Sequence, residues 1–445
     1  MDYSLVLGGG GAKGSYELGV FKALNEMDVN ITSIYGTSIG ALNGAMFVQG
    51  DINRAEKLWS EIKASDIMDI GENIEALLQK GGISSILEFM MHIISSRGLV
   101  ITPFRRLLEE IIDEEFIRNS PINYGIVTFS LEDFKAVKLQ KTDIPEGKLI
   151  DYLLASSALP AFKKHTIDNK IFIDGAFCDN LPISLAIDDK ANNIIVVDIL
   201  SPGIIEKVDV KELNVITIKN PFELRGSVLG FDNDDIVFNM ELGYLDCKKA
   251  FGKIKGYRYY IEEESNCTID KYISSVDVLD IKDIYRCFGI EIEPTQLYIS
   301  KKILGKISRI IKLHSGEDIV TKEGVFRSAI EITADFLGIN KVQVYTTEEL
   351  LYLINSEYSK YFESICEEDY LEYIKNSVLL TDRKKILSAL FDSINKENNL
   401  VFYTRSFEES KTPLSFRKLI SIVYPRISIA AALLMFLRNK DKQRV

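Results

Sequence analysis

A serine hydroxyl becomes a nucleophile when one neighbour takes its proton and another receives the negative charge created by its attack. Ser38 stands where both can be supplied. Gly36-Thr37-Ser38-Ile39-Gly40 follows the apolar, β-branched run Ile31 to Tyr35 and opens the helical pattern Ile39 to Val48. Gly-x-Ser-x-Gly between a strand and a helix is the setting of a nucleophile elbow. Gly36 and Gly40 allow a tight turn, and the helix start leaves Ser38 where the backbone dipole favours developing negative charge. Gly44 and Ala45 keep the next helical turn small, so this helix can lie close to a sheet. The same five-residue pattern also arises by accident in strand–helix turns, so the reading needs partners for the serine.

The partner for the charge is Gly8-Gly-Gly-Gly11-Ala12-Lys13-Gly14, which follows a short strand pattern and precedes the helical Tyr16 to Leu24. A glycine run presents several backbone N–H groups with no side chain in the way, and such a nest holds an anionic oxygen. Gly9, Gly11 and Gly14 also fit the dinucleotide fingerprint, so the loop alone is compatible with a nucleotide phosphate or with a tetrahedral acyl intermediate. No Gly-Lys-Ser/Thr follows it. A dinucleotide domain has no use for Ser38, which favours the acyl reading.

The partner for the proton is usually histidine, and the chain has three. His92 lies on a serine-rich helical face, and His314 follows Ile310-Ile-Lys-Leu313 in the second half, where a helix-end or surface role is expected. His165 is the one serious histidine candidate. A carboxylate serves better: Asp174, in Ile171-Phe-Ile-Asp174-Gly175-Ala176, is expected at the C-terminal end of a parallel strand, projecting into the crevice where α/β sheets hold their sites. A plain Asp-Gly turn is the competing reading. For aspartate to accept a serine proton, a poorly solvated pocket must raise its pKa, or the oxyanion must be stabilised as it forms.

These residues need a rigid frame. Short apolar runs at Ser4 to Leu7, Ile31 to Tyr35, Tyr124 to Phe129, Ala136 to Leu139, Ile171 to Ile173, Ile194 to Leu200 and Val215 to Ile218 alternate with helical patterns. That alternation predicts an α/β layer architecture with a largely parallel sheet. From Asp232 the pattern changes. A helix from Asp234 to Lys253 is entered through Asp232-Asn-Asp-Asp235, whose side chains can cap it, and a strand is expected at Tyr257 to Ile261. Helical periodicity then dominates, as at Ile299 to Leu313, Phe326 to Leu337, Glu348 to Ile354 and Lys384 to Ile394. The expected domains are residues 1–261 and a mainly helical 262–445.

Two segments are candidates for contact with lipid: the helical stripe Ile83, Ile86, Leu87, Met90 and Ile94, and the apolar run Ile427 to Leu437. Each also reads as a helix packed on a core, and the second is too short to cross a bilayer. The 445 residues exceed one ordinary core, and 46% hydrophobic with 27% charged residues describes an ordered globule. A formal net charge of -12 argues against broad nucleic-acid binding, which draws on a surplus of Lys and Arg. Five scattered cysteines, with no Cys-x-x-Cys pair, read as free thiols in a reducing compartment. The start at Tyr3-Ser-Leu-Val-Leu7 shows no basic and apolar signal regions, so a cytoplasmic location is expected, with peripheral membrane contact at its inner face as an extension.

With these segments in place, the chain resembles the patatin-like phospholipases. That family shows a Gly-x-Gly-x-x-Gly loop with Arg or Lys at its fifth position, a Gly-x-Ser-x-Gly elbow and an Asp-Gly-Ala/Gly end. Here they stand in the same order as Gly9 to Gly14 with Lys13, Gly36 to Gly40, and Asp174 to Ala176, while Ala155-Ser-Ser-Ala-Leu-Pro160 and Asn180-Leu-Pro182 match further positions. The resemblance covers about residues 4 to 255. It implies a three-layer hydrolase core and a Ser38–Asp174 dyad without a catalytic histidine. It also implies an oxyanion hole from Gly9, Gly10 and Gly11, no cofactor and no metal. The implied substrate is a phospholipid or another acyl-ester lipid. Lys13 orients the loop, pairs with a lipid phosphate or faces solvent. Lys163-Lys164-His165 departs from the proline-containing stretch often found after the Ala-Ser motif. The alternative function is a catalytically idle scaffold or sensor that keeps the hydrolase fold.

Overall fold

The computed structural model describes residues 1–69, 98–262, 267–290, 297–316, 319–378 and 396–443. The helical stripe at residues 83–94, the pattern at 384–394 and His92 lie outside them. The chain divides into two compact units, Met1–Gly252 and Lys253–Val445.

The first unit is built on an eight-stranded sheet. Its strands are β1 (Asp2–Leu7), β2 (Asn30–Thr37), β3 (Asn123–Ser130), β4 (Lys135–Gln140), β5 (His165–Ile167), β6 (Lys170–Asp174), β7 (Asn193–Val197) and β8 (Asn214–Ile218). They run in the order β5-β6-β3-β2-β1-β7-β8, with β4 also paired to β3. The five from β3 through β2, β1 and β7 to β8 are parallel, whereas β4, β5 and β6 pair antiparallel. This is the mostly parallel sheet expected from the alternation of runs and helices.

Both faces are covered, which is why the central strands read as continuous apolar runs instead of alternating. Val6, Tyr35, Val127, Ile194 and Val196 share one core cluster with Leu185 and Ala186 of the helix Ile183–Asp188. On the other face lies α2 (Ile39–Gln49), with α1 (Ser15–Glu26) and α3 (Ile52–Glu61) packed against it. Gly44 of α2 brings that helix within van der Waals reach of Leu7, Ile34 and Tyr124, the strand residues whose side chains alternate to that side. Helix, sheet and helix make the three layers.

One strand was not anticipated, and one helix closes three residues earlier than expected, at Ala250 and not Lys253. The short β5 was not expected, because Lys163-Lys-His-Thr-Ile-Asp-Asn-Lys170 is largely polar; it forms as the outer arm of a hairpin with β6. The helix Asn233–Ala250 opens as anticipated, with the Asp232 carboxylate accepting the N–H groups of Asp234 and Asp235.

The second unit is mainly helical. Its strands are the short β9 (Ile254–Lys255), β10 (Tyr260–Glu262) and β11 (Val344–Tyr345), in one small sheet. The run Ile427 to Leu437 lies in the helix Pro425–Gln443 and is buried throughout. That helix therefore spends its apolar surface on the unit's own core. No helix among the described residues is long and apolar enough to cross a membrane.

Candidate active site

Register brings the serine and the aspartate together. Thr37 at the end of β2 pairs with Val127 of β3, and the next residue, Thr128, pairs with Asp174 of β6. Ser38, one step past Thr37, therefore stands level with Asp174 across the width of β3. The expectation that Asp174 ends a parallel strand is corrected here: β6 is antiparallel to β3. Its C-terminal end still arrives at the carboxyl ends of the parallel strands, because β6 enters the sheet from beyond them and stops level with the elbow.

The turn around Ser38 is tight enough to hold a rare backbone conformation. Ser38 has φ 55° and ψ -124°, outside the regions that L-residues adopt freely, at a cost of about 1–3 kcal/mol. The flanking glycines make that turn sterically feasible. A Cβ on Gly36 would sit 2.3 Å from the Gly40 carbonyl carbon, and one on Gly40 would sit 2.5 Å from the Leu7 carbonyl oxygen. The backbone N–H of Ser38 donates to Ser156 Oγ at 2.9 Å, and that hydroxyl donates to Val127 O at 2.6 Å. Ser156 thus ties the elbow to β3. The sequence had singled out Ala155 to Pro160 only as a motif; the bond that gives Ser156 its part is tertiary.

The hydroxyl of Ser38 donates to Asp174 Oδ2 at 2.8 Å. The other carboxylate oxygen accepts the Ala176 N–H at 2.8 Å, and the Asp174 N–H donates to Ala158 O, so the aspartate is held from three sides. Gly175 makes the turn that follows, with no space for a Cβ beside Val127 O and Thr37 Cγ2. Asp174 is 1% exposed. Burial pushes its pKa up to about 6, against the opposing pull of the Ala176 N–H and the Ser38 hydroxyl.

The glycine loop closes over the serine. Gly9 passes so near that an added Cβ would lie 3.2 Å from Ser38 Cβ. Asn180 clamps Gly9 on both sides: its carbonyl accepts the Gly9 N–H at 3.2 Å and its side-chain amide donates to Gly9 O at 3.3 Å. The Gly9 N–H is therefore engaged. Among the described residues, the N–H groups of Gly10 and Gly11 have no acceptor, leaving these two amides available to an oxyanion. Gly14 ends the loop against Ile39 of α2. Lys13 is half-buried and has no ion-pair partner among the described residues.

Loop, serine and aspartate meet on a cavity of about 250 Å³. Its walls are mainly apolar, with Leu42, Phe104, Leu159, Phe162, Leu229 and Phe231 around Ser38, Asp174, Gly10 and Gly11. A lining of this kind can accept a hydrocarbon chain. His165 is placed elsewhere in function: its Nε2 is 2.8 Å from Asp151 O, and burial lowers its pKa. His314 belongs to the second unit, against Tyr257, with its pKa pushed down by burial to about 4. Among the described residues no group of three His, Cys, Asp or Glu side chains is arranged to hold a metal ion.

Residues 5–187 match the family model of the patatin-like phospholipases, so the chain carries a patatin-like phospholipase domain. The human "Patatin-like phospholipase domain-containing protein 6" is 28% identical over 201 residues, which are 44% of this chain and 13% of that protein. An uncharacterized NTE family protein of Mycobacterium bovis is 28% identical over 183 residues, 41% of this chain and 44% of that one. The chain thus spans a minor part of these relatives. Among solved structures, VipD from Legionella pneumophila aligns over 96% of this chain and 91% of its own, with a TM-score of 0.36 and 12% sequence identity.

Proposed function

We propose that this patatin-like phospholipase domain is a serine hydrolase of lipid acyl esters, working through a Ser38–Asp174 dyad. The observation that carries the reading is the 2.8 Å contact from the Ser38 hydroxyl to a buried carboxylate, beside the two unengaged amides of the glycine loop. Asp174 takes the proton as Ser38 Oγ attacks the ester carbonyl carbon, and the N–H groups of Gly10 and Gly11 receive the oxyanion. The ester C–O bond then breaks, and Asp174 returns the proton to the departing alcohol or lyso-lipid. In the second half, Asp174 accepts a proton from water as that water attacks the acyl-enzyme. The acyl–Oγ bond breaks, Ser38 recovers its proton and a free fatty acid leaves.

The raised pKa of Asp174 supports this assignment, because a base near pKa 6 takes a serine proton more readily than an ordinary carboxylate and is still ionised at neutral pH. The apolar cavity supports an acyl chain as its occupant. Phospholipid and lysophospholipid are the substrate classes that the family name suggests, met at a membrane surface from the cytoplasmic side. The helical region after the catalytic one serves as its regulator, so its removal is expected to change the rate or the recruitment to membranes.

The test is covalent labelling. A fluorophosphonate is expected to modify Ser38, identified by peptide mass, and to leave a Ser38→Ala protein unlabelled. A folded wild-type protein that stays unlabelled would return the idle-scaffold reading.

A further inference from the structure

The elbow and the glycine loop come from different parts of the chain, and transition-state stabilisation depends on their mutual placement. One buried side chain joins them. Asn43 lies on α2 five residues after Ser38, and its Nδ2 donates both to Gly14 O at 2.9 Å and to Glu17 Oε2 at 2.8 Å. Its Oδ1 accepts the Trp59 indole N–H at 3.0 Å. Indole nitrogen only donates, so the amide oxygen must face Trp59 and the amide nitrogen must face the loop. The orientation of Asn43 is therefore fixed by its partners.

Gly14 is the last residue of the loop that presents Gly10 and Gly11. It packs on α2 so closely that a Cβ there would lie 2.5 Å from Ile39 Cγ1, next to the nucleophile, and 3.0 Å from Asn43 Nδ2. Glu17 and Asn43 are fully buried and Trp59 is 2% exposed; none of the three lines the cavity. We propose that Asn43 is a positioning residue that holds the oxyanion loop in register with the nucleophile helix, with Glu17 and Trp59 locking its amide.

The chemistry of Glu17 fits that part. Among the described residues no cation pairs with this carboxyl group, and burial raises its pKa well above the usual range against the opposing bonds from Asn43 and the Gly8 backbone. What α1 supplies to the Asn43 amide is an acceptor oxygen, Glu17 Oε2 at 2.8 Å. Glutamine supplies the same acceptor.

The inference rests on the reading of Ser38 as nucleophile, and the experiment separates the two. Hydrolysis of a soluble short-chain nitrophenyl ester is measured for the full chain, per mole of folded protein for Ser38→Ala and per site titrated by a fluorophosphonate for every protein that keeps Ser38. If Ser38→Ala hydrolyses the ester as fast as wild type, the nucleophile reading fails. With Ser38→Ala inactive, Asn43→Ala is expected to lower kcat about tenfold to a hundredfold with KM within about threefold, the signature of misplaced transition-state groups. Trp59→Phe fills the space without the N–H and is expected to lower kcat several-fold in the same pattern. Glu17→Gln is expected to keep most of the rate that Glu17→Leu loses. A folded Asn43→Ala or Trp59→Phe protein with wild-type kcat per titrated site, whatever its loss of thermal stability, overturns the positioning role.

Discussion

Asp174 receives the Ser38 hydroxyl on Oδ2 at 2.8 Å while its Oδ1 is occupied by the Ala176 N–H at 2.8 Å. One oxygen is thus held for orientation and the other faces the proton to be moved. With Asp174 1% exposed, the proposed mechanism has this pair set both the pH range of the reaction and a stability cost.

The first consequence is in the pH profile. Asp174 works as a base only when ionised, and burial pushes its pKa up to about 6. The kcat/KM for a soluble ester is expected to rise roughly tenfold per pH unit below that value and to level off above it. His165 does not set this limb, so His165→Gln is expected to leave its midpoint in place. A flat profile between about pH 4.5 and 8 would contradict the assignment of Asp174 as base.

The same shift has a sign for stability. In the folded chain Asp174 keeps its proton up to about pH 6, while in the unfolded chain it ionises near 3.9. Between these values unfolding releases a proton, so rising pH favours the unfolded chain. Above about pH 6 the cost is complete, on the order of 3 kcal/mol. Asp174→Asn keeps the shape and cannot ionise. Thermal melts at pH 8 are expected to show it more stable than wild type, with the advantage shrinking as pH falls towards 4. A variant less stable than wild type at pH 8 would contradict this.

Ser156 offers a test at the backbone. Ser156→Ala leaves the Ser38 N–H and Val127 O without their buried partner, a loss of about 1–3 kcal/mol for an unsatisfied buried group. A Tm lowered accordingly is expected, together with a kcat reduced about tenfold as the strained elbow loosens. Unchanged values of both would show that the turn holds without it.

Gly40→Ala tests the elbow's packing. The added methyl would meet the Leu7 and Gly8 carbonyl oxygens at 2.5 and 2.8 Å. Backbone atoms of a central strand do not yield as a flexible side chain does. Expression of folded, active Gly40→Ala protein, judged by circular dichroism and ester turnover, would contradict the geometry of this turn.

Much of this site was legible in the sequence because its signals are local. Ser38 sits in a five-residue pattern whose strand and helix neighbours could be read from apolar spacing, and the glycine loop is a run of one residue type. Asp174 was found by the same route, but the direction of its strand was not. Whether Lys170–Asp174 runs with or against β3 is decided by pairing, and the polar β5 that turns it around gives no apolar signal. Asn43, Glu17 and Trp59 were passed over for a related reason. Each reads as an ordinary position in a helix, and their relation exists only once α1, α2 and α3 are packed together. The amides of Gly9, Gly10 and Gly11 also look alike in sequence; Asn180, some 170 residues away, separates Gly9 from the other two.

The central claim is that Ser38 and Asp174 together cleave lipid acyl esters. Its most direct measurement is fatty-acid release from phospholipid and lysophospholipid vesicles, followed by product analysis for wild type, Ser38→Ala and Asp174→Asn. The account predicts free fatty acid and a lyso-lipid or deacylated product from wild type, and a loss of at least about 1,000-fold in rate for each variant. Release by Ser38→Ala or Asp174→Asn at the wild-type rate would contradict it.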